Sequence, residues 1–116
     1  MRMKSKHAPG FSICDNKGFH IRMSNGITIS VQFGAGNYAD NHDSGDYSGT
    51  TPTTSSCAEI AVYLPDGRLL PMPSGDTVQG WVSADDVARF IGALVALEHP
   101  TPKSIQAVAP KYKPNA

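Results

Sequence analysis

Residues 19–33 alternate apolar and polar side chains on both sides of a short turn, a pattern typical of a half-buried β-hairpin. A two-residue loop at Asn25-Gly26 would place the two apolar rows on opposite faces of the hairpin. A three-residue loop that begins at Ser24, with Gly26 in the left-handed region as a bulge, keeps both rows on one face. The sequence therefore predicts a register that pairs Met23 with Ile27, Ile21 with Ile29 and Phe19 with Val31.

A second hairpin is predicted over residues 59–72, around the turn Pro65-Asp66-Gly67. Proline presets the backbone, aspartate accepts a local hydrogen bond, and glycine takes the left-handed position. This turn predicts Val62 opposite Leu70 and Ile60 opposite Met72. With short strands at residues 11–15 and 77–82, we expect an antiparallel sheet of five or six strands.

One amphipathic helix is predicted to follow the strands. Ser83 is a favourable N-cap, with Asp86 three residues later and Asp85 also in the first turn. Apolar residues recur at helical spacing until the helix ends before His99-Pro100, at Val87, Phe90, Ile91, Leu94, Val95 and Leu97. The predicted fold class is α+β, an antiparallel sheet packed by one C-terminal helix.

The 116 residues, 40% of them hydrophobic, provide for one domain. We expect that domain to span residues 11–98, with a long loop at 34–56. Residues 1–10 form a basic N-terminal tail, and residues 99–116 form a tail rich in proline and lysine. Both tails are expected to be mobile unless a partner or a second copy holds them.

Charge excludes several classes of protein. Ten basic and ten acidic residues balance, but the two tails together have a net charge of +6 and the stretch between them −6. This pattern fits neither a basic nucleic-acid-binding domain nor an acidic mimic of DNA. No apolar run is long enough to cross a bilayer, and the N-terminus lacks the apolar stretch of a signal peptide. We therefore expect a cytoplasmic protein without nucleic-acid or membrane partners.

The long loop 34–56 is the predicted site, because a connection of this length in a small domain is usually functional or disordered. The residues predicted to bind a partner or ligand are Gly36, Asn37, Tyr38, Asp40, Asn41, Asp43 and Tyr47. Oxygen ligands and His42 crowd into residues 40–46, but their spacing does not match a calcium loop, and a solvated acidic loop explains them without a metal. Gly34-Ala35-Gly36 follows a strand and would let backbone N–H groups approach a phosphate, although no P-loop lysine follows.

No catalytic constellation stands out. Of the four histidines, His7 and His99 lie in the predicted tails, and His20 is predicted to lie opposite Ser30 on the polar face of the first hairpin. Cys14 and Cys57 have no metal-site spacing and are interpreted as partly buried thiols, with their pairing left open. We therefore expect neither an enzyme nor a bound cofactor.

Two segments carry a resemblance to a known group of proteins. The first runs from Asn25 to Tyr38, with the sequence NGITISVQFGAGNY, and the second runs from Cys57 to Val62, with the sequence CAEIAV. They resemble small uncharacterised proteins encoded by bacteriophages and prophages, over residues 11–97. The group has no established activity, so the resemblance implies a biological context and no mechanism.

Small, neutral phage proteins without a catalytic constellation are often accessory factors that bind a host component, an association that fold alone does not prove. The resemblance thus implies a phage protein that binds and inhibits or redirects a host protein in the host cytoplasm, including an anti-defence inhibitor of the anti-CRISPR kind. Two alternatives remain open. One is a small-ligand or nucleotide-binding sponge, and the other is a structural protein that forms homo-oligomers by pairing exposed strand edges.

Overall fold

The computed structural model describes residues 8–14, 17–43 and 54–113. These residues form five strands and two helices in chain order: β1 (Gly10–Cys14), β2 (Gly18–Arg22), β3 (Thr28–Gln32), β4 (Cys57–Tyr63), β5 (Val78–Ser83), α1 (Ala84–Val95) and α2 (Pro102–Val108). The strands form one antiparallel sheet in the order β1-β2-β3-β4-β5. This arrangement confirms the predicted α+β fold. Residues 1–7 of the predicted N-terminal tail lie outside the described residues.

The first hairpin has the predicted three-residue turn. Phe19 pairs with Val31 and Ile21 with Ile29. The Met23 N–H donates to the Ile27 carbonyl over 2.8 Å, and Gly26 has a φ of 94°, in the left-handed region. The apolar rows of β2 and β3 therefore share one face, because only this register buries both of them.

The second hairpin is shorter than the sequence predicts. Tyr63 and Leu69 form an isolated bridge, and the Leu70 N–H donates to the Val62 carbonyl over 2.9 Å. The predicted pairing of Ile60 with Met72 is wrong, because Ile60 pairs with Gln79 of β5. Strand β5 thus takes the edge of β4 that residues 71–72 would need for a longer ladder.

Helix α1 covers the apolar face of the sheet and begins where the sequence predicts. The Ser83 hydroxyl accepts a hydrogen bond from the backbone N–H of Asp86, and Phe90 and Leu94 are buried against the sheet. The other end of α1 contacts the turn of the first hairpin. The side-chain amide of Asn25 donates to the carbonyls of Leu94 and Leu97, over 2.9 and 2.8 Å, where the helix ends and its carbonyl groups lose the hydrogen bonds of a continuing helix.

A second helix, α2, lies in the segment for which the sequence predicts a mobile tail. Thr101 and Ser104 form a reciprocal capping box at its start, and Pro102 occupies the first turn. Ile105 is fully buried in the core. The expectation of a tail from residue 99 onward does not hold for this segment, because a single buried isoleucine gives too little periodicity to reveal a seven-residue helix. Residues 114–116 lie outside the described residues.

Replacement of Ile105 with alanine tests whether α2 is part of the folded domain. We expect Ile105→Ala to lower the free energy of unfolding by about 2–5 kcal/mol, since a fully buried isoleucine is truncated. The measurement is urea denaturation followed by circular dichroism. Val108→Ala, on an exposed part of the same helix, is the matched control and should change stability by less than about 0.5 kcal/mol. Equal and small losses in both variants would mean that α2 does not dock.

Candidate functional site

The long loop is described at residues 34–43 and 54–56, and its side chains alternate between buried and exposed over residues 35–41. Ala35, Asn37, Ala39 and Asn41 are buried. The Asn37 side chain accepts from the Gly34 N–H over 2.9 Å and donates to a carboxylate oxygen of Glu59 over 3.1 Å. The Asn41 amide donates to the carbonyls of Phe33 and Thr54. Both asparagines therefore hold the loop together from within through these hydrogen bonds.

The backbone N–H groups of Gly34, Gly36 and Asn37 all donate to acceptors within the loop. The Gly36 N–H donates to the His42 carbonyl, and the Asn37 N–H donates to the Gly34 carbonyl. The next N–H, that of Tyr38, lies 3.4 Å from the second carboxylate oxygen of Glu59. These groups would have to leave protein partners before they could bind a phosphate, which counts against a nucleotide at this turn.

Asp40 ties the loop to the start of β4. One carboxylate oxygen accepts from the backbone N–H and the hydroxyl of Ser56, over 2.7 and 2.8 Å, and the other accepts from the Cys57 thiol over 3.3 Å. The backbone bond from Ser56, followed by the bonds from its hydroxyl and from the Cys57 thiol, lowers the pKa of Asp40. A carboxyl group with a lowered pKa stabilises the folded state when it is ionised, so this link weakens as the pH falls through that pKa.

A β-bulge in β5 places Trp81 beside this loop. Ala58 pairs with Val82 and Ile60 with Gln79, so Gly80 and Trp81 together face only Glu59 of β4. Trp81 has a φ of 60°, which is strained for a bulky side chain. Its backbone N–H donates to the Tyr38 carbonyl over 2.8 Å, so the loop pairs with the outer edge of β5 at the bulge.

The chain that follows α2 reaches the same edge through a buried glutamine. The Gln79 side chain is almost fully buried, and its amide donates to the Pro110 carbonyl over 2.8 Å. Its oxygen accepts from the Ser74 N–H over 3.1 Å. Gln79 therefore fixes both the turn that precedes β5 and the segment that carries Tyr112.

A cleft of about 300 Å³ lies at the β5 edge of the sheet, between the loop, the bulge of β5 and the segment that follows α2. It is lined by Tyr38, Ser74, Asp76, Val78, Gly80, Trp81 and Tyr112. We call this the aromatic cleft. Its three rings come from three different segments, and Tyr38 and Tyr112 remain 47% and 45% exposed. The Tyr38 ring stacks on His42, with 5.3 Å between ring centroids and 7° between planes. One face of the Tyr38 ring is therefore covered by the His42 ring.

A smaller cavity of about 90 Å³ adjoins the aromatic cleft and shares Gly80 and Trp81 with it. Its lining includes Lys111, Lys113 and Asp86. The Asp86 carboxylate is 2.9 Å from the Arg89 guanidinium, one turn along α1. The described lining residues of the two cavities therefore differ in charge, with lysines only in the smaller cavity.

Of the predicted site residues that the structure describes, Tyr38 alone lines the aromatic cleft. Asn37 and Asn41 are buried supports, Gly36 has a φ of 83° in the turn, and Asp40 closes the loop. Asp43 contacts the His42 ring over 2.8 Å at the surface, and Tyr47 lies outside the described residues.

Asp76 and Tyr112 line the cleft but are not among the site residues predicted from the sequence. Trp81 is prominent in the sequence as the single tryptophan, but nothing there shows which way it faces. The sequence feature that could have indicated Tyr112 is that it is an aromatic residue in a stretch otherwise rich in proline and lysine.

The thiols and histidines do not assemble into a reactive group in the described part of the chain. Burial raises the pKa of the Cys57 thiol, and the bond that it donates to Asp40 raises it further. Burial, and then the charge of Arg22, lowers the pKa of His20, which pairs with Ser30 as predicted. Cys14 and Cys57 are not joined by a disulfide. Within the described ranges, no three His, Cys, Asp or Glu side chains are grouped to hold a metal ion.

Comparisons of the chain with models of protein families, with curated proteins and with solved structures find no match. The site must therefore be judged from its own geometry, and the resemblance to phage proteins stays a prediction. The two helices that the structure describes are too short and too polar to cross a membrane.

Replacement of Gly80 with alanine tests how the loop is seated on β5. A Cβ at Gly80 would overlap the Cβ of Tyr38 and approach the Tyr38 carbonyl, so the loop must move away from the bulge. We expect Gly80→Ala to lower the free energy of unfolding by about 1–3 kcal/mol and to shift the fluorescence of Trp81.

Gly92→Ala is the matched control, because a Cβ at this position in α1 meets no atom within 4 Å. We expect it to raise stability by about 0.5–1 kcal/mol, since alanine favours a helix interior, and to leave the fluorescence unchanged. Unchanged Trp81 fluorescence in Gly80→Ala would contradict the contact between loop and bulge.

Proposed function

We propose that this chain is a binding protein, and that the aromatic cleft is where it recognises a partner protein. The observation that carries the proposal is the convergence of Tyr38, Trp81 and Tyr112 on one cleft from three separate segments. Tyrosine and tryptophan are the side chains most enriched where protein interfaces concentrate their binding energy. Tyr38 and Tyr112 are also half exposed, so they contribute less to the core than a buried aromatic would.

The backbone around Trp81 supports this proposal. A bulky residue with a positive φ costs on the order of 1–3 kcal/mol, and such strain collects at ligand-binding and active sites. Gln79 and Glu59 add buried or partly buried polar bonds that hold the flanking segments in place. A site held by its surroundings before binding loses less conformational entropy when a partner arrives.

A binding role fits the described side chains better than an enzymatic one. A thiol with a raised pKa, such as that of Cys57, is a weak nucleophile, because the thiolate is the reactive form. The His42 ring contacts the carboxylate of Asp43 and stacks on Tyr38, and its described contacts include no serine or cysteine that it would activate. The phage resemblance adds that the partner is a host protein, with inhibition of a defence system as the proposed consequence.

Affinity capture with matched variants tests the proposal. The tagged full chain is compared with Tyr112→Ala and Tyr38→Ala after incubation with a bacterial lysate, and the captured proteins are identified by mass spectrometry. We expect a stoichiometric protein to be captured by the wild type and reduced at least about tenfold in both variants, as truncation of an interface anchor predicts.

Leu69→Ala is the control for this experiment, because Leu69 is an exposed apolar residue that does not line the cleft. It should retain the captured protein. Thermal denaturation checks that all variants are folded. Identical capture by every variant, or no specific capture by the wild type, would reject the cleft as the recognition site.

Assembly with a second copy is another candidate function, favoured by the opposite edge of the sheet. Phe11 and Ile13 of β1 are 82% and 78% exposed, and they pair with Ile21 and Phe19 on the face that α1 covers further along the sheet. No charged residue lies in β1 to discourage edge pairing. A two-fold axis at Ser12 would place Phe11 of one copy opposite Ile13 of the other and continue the apolar face across a sheet of ten strands.

Sedimentation velocity over a range of concentrations tests this assembly. We expect the wild type to form a dimer and Ile13→Lys to remain monomeric, because the lysine places two charges within the proposed apolar interface. Val95→Lys, which adds the same charge at an exposed apolar position of α1, should still dimerise. If the wild type is monomeric at about 100 μM, a concentration far above the dissociation constant of a stable dimer, assembly through the β1 edge is rejected.

A further inference from the structure

Among the described residues that line the aromatic cleft, one has an acidic side chain, Asp76. One of its oxygens accepts from the backbone N–H of Thr77 over 2.6 Å, which orients the group. Asp76 forms no ion pair with any residue that the structure describes. A fixed negative charge therefore lies beside three aromatic rings without a cation from the surrounding described chain to neutralise it.

The rings present surfaces that attract cations. The face of an aromatic ring is negative, and tryptophan binds a cation most strongly, followed by tyrosine and phenylalanine. Because His42 stacks on one face of Tyr38, the other face is the one open to a ligand. Val78 and Gly80 also line the cleft and provide uncharged surface against which an aliphatic stem can pack.

We propose that the aromatic cleft receives a cationic side chain of the partner protein, an arginine or a lysine. The charged group lies against Trp81 and the tyrosines, near the Asp76 carboxylate, and the aliphatic stem packs on Val78 and Gly80. This inference rests on the proposed function and adds the chemistry of the group that is bound. Arginine is the better fit, because its planar guanidinium both stacks on aromatic rings and pairs with a carboxylate.

A nucleotide is the competing ligand. Its base would stack in the aromatic cleft, and its phosphates would lie near Lys111 and Lys113 in the adjoining cavity. The charge of the larger cleft favours the cation there, because Asp76, the one charged residue among its described lining residues, is acidic. The two ligands also predict different effects of substitution. Loss of the Asp76 charge should weaken a bound cation, whereas loss of a lysine in the adjoining cavity should weaken a bound nucleotide.

Trp81 makes the test direct, because it is the single tryptophan of the chain and lies in the cleft. The full chain is titrated to about 10 mM with acetyl-Gly-Arg-Gly-amide, with the same peptide carrying citrulline, and with AMP, while Trp81 fluorescence is recorded. Citrulline has nearly the shape of arginine but no charge. We expect saturable binding of the arginine peptide, at least about tenfold weaker binding of the citrulline peptide, and weaker binding of AMP, as a charge-selective site requires.

Two substitutions assign the effect to the cleft. Asp76→Asn keeps an oxygen to accept the Thr77 N–H, and we expect it to reduce the preference for arginine over citrulline to about twofold or less, whereas Asp76→Glu should restore part of it. Asp66→Asn is the control. Asp66 is an exposed turn aspartate that accepts a backbone N–H in a similar way, and it does not line the cleft, so the preference should be unchanged. Tyr112→Ala should weaken the arginine peptide about two- to fivefold.

Equal binding of the arginine and citrulline peptides, or no saturable binding of the arginine peptide, would overturn the inference. So would tighter binding of AMP that is lost in Lys113→Ala, which would identify a nucleotide site. If Tyr112→Ala still loses the captured protein while the arginine peptide fails to bind, the cationic ligand is wrong and the proposed function stands. If Tyr112→Ala changes neither the amount of captured protein nor the binding of the arginine peptide, the proposed function and the cationic ligand are both wrong.

Discussion

The packing of Phe90 and Leu94 of α1 against the apolar face of the sheet, which includes the apolar rows of β3 and β4, is the contact on which the rest of the molecule depends. Burial of a large apolar side chain contributes about 1.5–3 kcal/mol, and these rows are almost fully removed from water. The same packing fixes where α1 ends, so Asn25 in the first turn can reach the carbonyls of Leu94 and Leu97. Helix and hairpin are thus joined by apolar burial along their length and by hydrogen bonds at one end.

The aromatic cleft is a consequence of how that sheet ends. Strand β5 is an edge strand, and its bulge at Gly80 and Trp81 breaks the ladder opposite Glu59. The Glu59 carboxylate then holds the loop through Asn37, while the Tyr38 carbonyl takes the Trp81 N–H. An edge that would otherwise present unpaired backbone groups is in this way covered by the chain's own loop, and the covering loop forms one wall of the cleft.

The two edges of the sheet suggest different kinds of interaction. The β5 edge is aromatic and polar, with a carboxylate in the larger cleft, which suits recognition of a specific polar group. The β1 edge is apolar and uncharged, which suits pairing with another strand. Because β2, β3 and β4 separate these edges, a second copy paired at β1 would leave the aromatic cleft open to a partner. The proposed recognition and the proposed assembly are therefore compatible in one molecule.

The sequence by itself determined the elements whose signals are local. The period of two in residues 19–33 and the glycine at position 26 set the register of the first hairpin, and Ser83 set the start of α1, because turn and cap chemistry act over a few residues. Only the tertiary structure decided that Asn37 and Asn41 are supports and that Trp81, Tyr112 and Asp76 meet. The residues that line the cleft come from segments up to 74 positions apart, from Tyr38 to Tyr112, and their placement depends on a bulge, on the buried Gln79 and on the docking of Ile105. No local pattern encodes such contacts, because each becomes favourable only after the sheet and its helices have packed together.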